Sequence, residues 1–175
     1  SSVKMETQET MKIIAAGNIF TGTFERDGMG GILTLGRNFE CRPNKLKGYY
    51  KYTSAKVSVS KGHLNEGEDD LCSLYIALTD EQITVNTNKG IYFDPNSSAV
   101  IAYGSISDEE SKGADSFKEF TVDLEYKDLK RIPKYIIVVA SSSKYGDYME
   151  GGKGSTMWLD DLELVYPKSM EEVRK

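Results

Sequence analysis

Apolar and polar residues alternate with a period of two along the segment FTVDLEY, residues 120–126, and this pattern indicates the fold class. That period is typical of a β-strand with one buried face and one solvated face. A helix could place Phe117, Phe120 and Leu124 on one side. The helical interpretation fails because β-branched Thr121 and Val122 lie in the middle of the segment and disfavour a helix.

Other segments on both sides of residues 120–126 also have a pattern that is typical of strands. Leu74, Ile76 and Leu78 alternate with less apolar neighbours in the same way. The run from Tyr135 to Ala140 is apolar on both faces, which predicts a central strand that is covered on both sides. Pro133 lies just before this run and marks a strand start, since proline cannot donate a ladder hydrogen bond.

Turn signals separate these strands at short intervals, and no long helical pattern intervenes. They are Asp27-Gly28, Gly30-Gly31, Lys61-Gly62, Asn65-Glu66-Gly67, Lys89-Gly90, Asp94-Pro95-Asn96 and Gly151-Gly152. The pattern predicts an all-β sandwich or barrel. With no repeat or linker, residues 1–175 are expected to form one domain. The strand region at 1–12 is expected to be trimmed at its start, and the charged tail at 168–175 to form a short helix or fray.

In the last apolar segment, the alternation of apolar residues changes from odd to even positions. Met157 and Leu159 share one parity, whereas Leu162 and Leu164 share the opposite parity. The change falls at Asp160-Asp161 and predicts a β-bulge or a bend in the strand. Two adjacent aspartates at a bulge could be held by backbone N–H groups or could bind a cation.

The segment 141–155 is the most unusual part of the chain, and it resembles a phosphate loop only superficially. The spacing GxxxxGK[ST] fails, and the segment leads into a strand, not into a helix that could hold phosphate. One interpretation is a long hairpin-like connection rich in glycine. The other is a sugar-binding loop, in which Tyr145 and Tyr148 present aromatic faces beside Lys144 and Asp147.

Further aromatic side chains are candidate binding residues. Trp158 is the only tryptophan and points away from the face of Met157 and Leu159, so it lies either in a second core or on an exposed stacking surface. Tyr49 and Tyr50 point to opposite faces of one strand, and Arg37 could supply hydrogen-bond donors nearby. Cross-strand aromatic packing is the favoured alternative for this tyrosine cluster.

Composition excludes several function classes. The formal net charge is −5 and the lysines are scattered, which argues against a nucleic-acid partner. No apolar run approaches the roughly 20 residues of a membrane span. His63 is the only histidine, so a multi-histidine metal site is impossible. No catalytic motif is present, although the 27 acidic residues leave a glycosidase carboxylate pair open.

The two cysteines and one acidic run have less specific interpretations. Cys72 alternates in phase with Leu74, so a core position is favoured, and a bridge to Cys41 stays open. The acidic run that ends at Asp70 is interpreted as a solvated turn, because it lacks the ligand spacing of a calcium loop.

Several strings resemble the "putative carbohydrate metabolism domain" of Bacteroidetes surface proteins. They are Ala15 to Phe24, Leu35 to Phe39 with Arg42-Pro43, Leu46 to Tyr52, Ile101 to Gly104, Ser141 to Tyr148 and Leu159 to Leu164. The resemblance spans about 13–166 and implies a two-sheet antiparallel jelly roll related to carbohydrate-binding modules. It also implies export to the periplasm or outer membrane, often as a lipoprotein. In such modules an aspartate like Asp160 or Asp161 often holds a structural calcium; no other cofactor is expected.

Three hypotheses on function follow. The first is a non-catalytic glycan-binding domain that uses Tyr145, Tyr148, Trp158 and the tyrosine cluster. The second is a glycoside hydrolase or lyase with an unrecognised carboxylate pair. The third is a structural module whose partner is a neighbouring domain or a subunit of a surface complex.

Overall fold

The computed structural model describes residues 1–168, which are built almost entirely of strands. The strands are β1 (Val3–Glu6), β2 (Gln8–Thr10), β3 (Ile13–Ala15), β4 (Asn18–Phe20), β5 (Gly22–Asp27), β6 (Gly30–Leu35), β7 (Arg37–Asn38), β8 (Lys45–Thr53), β9 (Ser73–Thr79), β10 (Ile83–Asn86), β11 (Val100–Ser105), β12 (Ala114–Asp123), β13 (Glu125–Tyr126), β14 (Tyr135–Ser141) and β15 (Thr156–Val165). One α-helical turn, α1 (Asp108–Ser111), and two 3₁₀ turns at Thr87–Lys89 and Gly146–Tyr148 complete the described elements.

The main pairings are nested along the chain. β1 pairs with β15, β4 with β14, β8 with β12 and β9 with β11, all antiparallel. Two further pairings, β15 with β8 and β14 with β9, join the nested pairs into two sheets. The first sheet has the order β1-β15-β8-β12, and the second contains β4-β14-β9-β11 with β13 at its edge. This wrapped double hairpin is a jelly roll, as the family resemblance implies.

The main core lies between these two sheets. Leu74, Ile76 and Leu78 project from β9 into it, and they are at most 1% exposed. Met157 and Leu159 meet them from β15. The alternation read from the sequence therefore marks the side chains that face the opposite sheet.

A third sheet, β10-β6-β5, covers part of the outer face of the second sheet. Leu35 and Val85 from this third sheet pack on Ala77 and Ile137 in a separate buried cluster. The extra layer explains why β14 is apolar on both faces. The sequence predicts only two sheets, and the third sheet is an addition to that prediction.

The predicted bulge is present in β15. The register between β15 and β8 shifts between Asp160 and Glu163, and Asp161 has a φ of +50°. Both cysteines are free, with Cys72 buried in the core and Cys41 exposed, so no bridge joins them. Of the predicted tail at 168–175, all but Lys168 lies outside the described residues.

The structure differs from the prediction of a solvated turn at the last residue of the acidic run before β9. Its earlier members are exposed, but Asp70 is only 1% exposed. Its carboxylate accepts hydrogen bonds from the backbone N–H of Leu71 and Gly152 and from the hydroxyls of Ser143 and Ser155. Such a set of donors compensates the cost of burying a charge. Asp70 is therefore an internal anchor and not part of a solvated turn.

Candidate functional site

A groove of about 420 Å³ opens on the outer face of the second sheet, beyond the part that the third sheet covers. Its volume lies within the range of small-molecule sites. We call it the aromatic groove, and its lining residues are Cys72, Ser73, Leu74, Tyr75, Tyr92, Phe93, Pro95, Tyr103, Ser105, Ile106, Asp108, Ser111, Lys144, Tyr145, Asp147 and Tyr148.

The loop after β14 supplies one side of the aromatic groove, and buried hydroxyls hold that loop in place. Ser142 and Ser143 are at most 1% exposed, and both hydroxyls lie within 2.7 Å of the Thr7 hydroxyl. The Ser143 hydroxyl also donates to Asp70, at 2.6 Å. Because Asp70 also binds the backbone N–H of Gly152, one carboxylate ties both ends of the loop together.

Between these anchors the chain turns sharply. A 3₁₀ turn at Gly146–Tyr148 ends at Met149, whose φ is +58°. Residue 146 must be small, because a Cβ there would lie 2.3 Å from the Cβ of Ala16. The turn directs Tyr145, Asp147 and Tyr148 into the aromatic groove.

Four rings form a row along this side, which we call the wall cluster. Tyr145 stacks on His63 with centroids 4.3 Å apart, and His63 lies 4.4 Å from Tyr148. Tyr148 in turn stacks on Tyr92 at 4.0 Å. Mutual stacking reduces the freedom of these rings, so a ligand would lose little side-chain entropy in contacting them.

Three more rings form the floor cluster. Tyr75 from β9 stacks on Phe93 at 4.9 Å, and Tyr103 from β11 lies 5.9 Å from Tyr75. Tyr75 points away from the main core because it alternates out of phase with Leu74 and Ile76. That phase is a signal in the sequence for this side chain, whereas Tyr92 and Phe93 lie in a loop without such periodicity.

The tyrosine hydroxyls of this site differ from those of the core in their hydrogen bonds. The buried Tyr50 and Tyr52 and the half-buried Tyr126 each donate to a backbone carbonyl, at 2.6 to 3.0 Å. Within residues 1–168 the hydroxyls of the groove tyrosines make no hydrogen bond to the protein; these are Tyr75, Tyr92, Tyr103, Tyr145 and Tyr148. They are therefore available to a hydroxyl-rich ligand.

His63 and Glu150 support the wall cluster, and no local sequence pattern indicates that either is part of a site. Glu150 is 0% exposed, and its carboxylate accepts from the backbone N–H of Leu64 at 2.6 Å and of His63 at 3.3 Å. Nδ1 of His63 lies 2.9 Å from the same carboxylate and donates to it. Burial raises the pKa of Glu150, but these hydrogen bonds outweigh it and leave the pKa below its ordinary value.

Three charged groups lie in the aromatic groove. The Lys144 ammonium is 3.3 Å from the exposed Asp108 carboxylate and 5.9 Å from the Tyr145 ring centroid. Asp147 is an exposed residue by surface area and makes no hydrogen bond within residues 1–168. Because the surrounding concave surface displaces water from its carboxyl, the pKa of Asp147 is raised. The two carboxylates and single ammonium make the site slightly acidic.

Four of the predicted binding residues lie together in the structure, and a fifth is buried in the core. Lys144, Tyr145, Asp147 and Tyr148 all line the aromatic groove, although whether they bind a sugar stays a prediction. The prediction for Tyr50 is wrong, because this side chain is only 1% exposed and packs against Phe120 in the core.

Arg37 and Trp158 lie elsewhere on the molecule. Arg37 pairs with Ile136 near the start of β14, and the aromatic groove lies beyond Ser141 at its end. Five residues of strand put these positions roughly 17 Å apart. Trp158 lies on the outer face of the first sheet, where the Lys51 ammonium is 4.9 Å from its ring. Its predicted orientation, opposite to Met157 and Leu159, is confirmed.

The aspartates at the bulge do not gather a set of metal ligands. Asp160 accepts a hydrogen bond from the backbone N–H of Asp161, at 3.0 Å. Among residues 1–168 no group of three or more His, Cys, Asp or Glu side chains is placed to hold a metal ion. No helix in the same range is long and apolar enough to cross a membrane.

The nested strand order and the groove define the chain as a jelly-roll domain with a surface cleft lined by aromatic residues. The family described as "Putative carbohydrate metabolism domain" matches residues 1–165. The chain belongs to this family, and its role is related to carbohydrate. No curated protein matches the sequence.

Two solved structures from Bacteroides are similar to the chain. One, from Bacteroides thetaiotaomicron VPI-5482 and described as a putative glycoside hydrolase, shares 25% identity with a TM-score of 0.77. The chain aligns over 96% of its own length but spans only 54% of that protein. The other, from Bacteroides vulgatus ATCC 8482 and described in the same words, shares 24% identity with a TM-score of 0.73 over 94% of this chain and 72% of that one. The second comparison shows the fold alone.

Proposed function

We propose that the domain binds carbohydrate without cleaving it, and that the ligand occupies the aromatic groove. The observation that supports this most strongly is the set of groove tyrosines whose hydroxyls have no hydrogen-bond partner among residues 1–168. Sugars present C–H faces that pack on aromatic rings and hydroxyls that exchange hydrogen bonds with polar groups. The floor and wall clusters offer both kinds of contact in one site.

The charges of the groove favour a neutral glycan. Asp108 and Asp147 place two carboxylates in the site, and the ammonium of Lys144 already pairs with Asp108. A uronic acid or a sulfated sugar would add a third anion, and the described lining residues supply no further cation to meet it, which is unfavourable in a partly desolvated site. We therefore expect neutral oligosaccharides to bind more tightly than acidic ones of the same length.

Isothermal titration calorimetry with neutral and acidic oligosaccharides tests the proposal. Tyr148→Ala removes a ring that contacts both His63 and Tyr92, and we expect it to weaken binding by about tenfold or more. Tyr49→Ala is the matched control, because Tyr49 is 43% exposed on the opposite sheet. If the folded protein binds none of the glycans, or if Tyr148→Ala binds as well as the control, the proposal is wrong.

Hydrolysis is a second candidate, and two observations favour it. The similar protein from B. thetaiotaomicron is described as a putative glycoside hydrolase, and two carboxylates with different environments, Asp108 and Asp147, share the groove. A carboxyl with a raised pKa can act as a general acid while an ionised partner assists water or the sugar cation. Release of reducing sugar from a neutral polysaccharide, abolished by Asp147→Asn, would establish this activity and replace the non-catalytic proposal.

Export and a structural calcium, both implied by the family resemblance, stay predictions. Secretion assays and calcium titration would test them separately from glycan binding.

A further inference from the structure

A second groove lies on the other side of Asp147, formed by the turn at Gly146–Tyr148 and by residues that the aromatic groove does not use. Its volume is about 510 Å³, again within the range of ligand sites. It runs between the third sheet and the segment that leads into β4, and its lining residues are Ile14, Ala15, Ala16, Asn18, Phe20, Phe24, Met29, Gly30, Gly31, Leu33, Thr87, Gly146, Asp147 and Met149.

The two grooves meet at one residue. Asp147 lines the aromatic groove, the second groove and a small cavity of about 60 Å³ between the sheets. The 3₁₀ turn at Gly146–Tyr148 therefore forms a ridge with a concave surface on each side. A ligand longer than one groove would have to pass over the Asp147 carboxyl to occupy both.

The second groove contains an aromatic surface of its own. Phe24 on β5 is 58% exposed, which is unusual for a ring of this size. Its edge rests against Gly31 on β6, because a Cβ on residue 31 would lie 2.1 Å from Cε2 of Phe24. The missing side chain lets the ring lie against the strand. The rest of the ring stays accessible.

Flexible apolar side chains flank this ring. Met29, 72% exposed, lies at the tip of the hairpin between β5 and β6, and Met149 lies at the end of the 3₁₀ turn. Methionine adapts its shape to an irregular partner. Asn18 and Thr87 add an amide and a hydroxyl to the lining. The second groove thus repeats the combination of aromatic surface and polar groups found in the aromatic groove.

We propose that the ligand is an internal segment of a linear neutral glycan, which crosses Asp147 and packs on Phe24 in the second groove. This inference rests on the proposed function, because it extends the same site. It assigns Phe24 and Gly31 to ligand binding. It also excludes recognition of a lone terminal sugar as the main activity.

Calorimetry with graded neutral oligosaccharides tests this inference. Suitable probes are the disaccharides and hexasaccharides of the cellulose, xylan and mannan series. We expect a hexasaccharide to bind at least about tenfold more tightly than its disaccharide. Phe24→Ala should remove most of that gain and leave disaccharide binding unchanged. Phe117→Ala is the matched control, because Phe117 is 46% exposed on β12 of the first sheet.

Gly31→Ala provides a second variant that keeps the aromatic side chain. The added methyl group must lift the Phe24 ring, so hexasaccharide binding should fall as it does in Phe24→Ala, with folding checked by circular dichroism. If both variants bind the hexasaccharide as the unchanged protein does, while Tyr148→Ala is impaired, the second groove is not part of the site and the proposed function stands. If the unchanged protein binds no probe, both proposals fail together.

Discussion

At the scale of single residues, Asp147 lines the proposed site, and its ionisation also affects the free energy of unfolding of the domain. Its pKa is raised above the ordinary value of 3.8 by loss of water around the carboxyl. The folded state therefore holds the proton more tightly than the unfolded state, and ionisation of Asp147 opposes folding at neutral pH.

We predict that Asp147→Asn raises the free energy of unfolding at pH 7. The gain should appear as the pH rises above about 3.8 and should be absent at lower pH, where the wild-type carboxyl is protonated in both states. Urea denaturation at several pH values measures it, with the exposed Asp115→Asn as control. A variant that is less stable at pH 7, or equally changed at all pH values, would contradict this explanation.

For Glu150 the pKa shift and its effect on stability as a function of pH have the opposite sign. Its pKa is lowered below the ordinary 4.5, so its contribution to stability is present above that pH and is lost as the pH falls through the folded-state pKa. Glu150→Gln would turn an amide N–H₂ towards the backbone donors of His63 or Leu64. We predict a loss of about 2 kcal/mol at pH 7 that shrinks below pH 4.5.

The measurement is again denaturation as a function of pH, and the exposed Glu66→Gln is the matched control. A constant difference between Glu150→Gln and wild type from pH 7 to pH 3 would show that the charge of Glu150 is not what supports the wall cluster.

The predicted position of a residue agrees with the structure where side-chain chemistry and loop position point the same way, although sugar binding by these residues stays a prediction. Tyr145 and Tyr148 lie on a glycine-rich loop, where buried positions are rare, and both line the groove. Tyr50 and Asp70 were misjudged because burial of a polar tip depends on long-range partners. Tyr50 donates to the carbonyl of Glu110, and Asp70 accepts from residues about 70 to 85 positions away. A local sequence pattern cannot predict such long-range contacts.

At the scale of elements, the bulge in β15 is the feature that the sequence predicts most specifically. The change of phase in the apolar pattern locates it at Asp160-Asp161, and the register shift confirms that position. Asp161 adopts a φ of +50°, a conformation that costs an L-residue about 1–2 kcal/mol and that aspartate tolerates better than β-branched residues.

We predict that Asp161→Val lowers the free energy of unfolding by about 1–2 kcal/mol, whereas Asp161→Gly changes it by less than about 0.5 kcal/mol. Glu163→Val on the same strand is the control, since valine suits a regular strand position. Thermal and urea unfolding give the comparison. Equal effects of valine at 161 and 163 would mean that the backbone at Asp161 is not constrained by the bulge.

The strands of the two main sheets follow from a period of two, because each has one face in the core. The third sheet was not predicted as a layer. Its hairpin from Gly22 to Leu35 is a local structure, but its packing on Ala77 and Ile137 joins segments far apart in sequence. Only the apolar character of both faces of β14 indicated that something covers the second sheet.

At the scale of the whole molecule, the groove results from an incomplete third layer. The third sheet covers Ala77 and Ile137 but leaves Tyr75 and Tyr103 as part of the floor of the aromatic groove. The loop after β14 then builds a wall beside them, held by Asp70. The added third sheet and this loop therefore place rigid aromatic rings beside tyrosine hydroxyls that make no hydrogen bond within residues 1–168.

The most direct test of this account is a crystal structure of the domain with a neutral hexasaccharide that binds in calorimetry. We predict sugar rings in the aromatic groove, in contact with Tyr148 and with the floor cluster, and continuing over Asp147 towards Phe24. A hexasaccharide bound instead on the outer face of the first sheet, against Trp158, would contradict it.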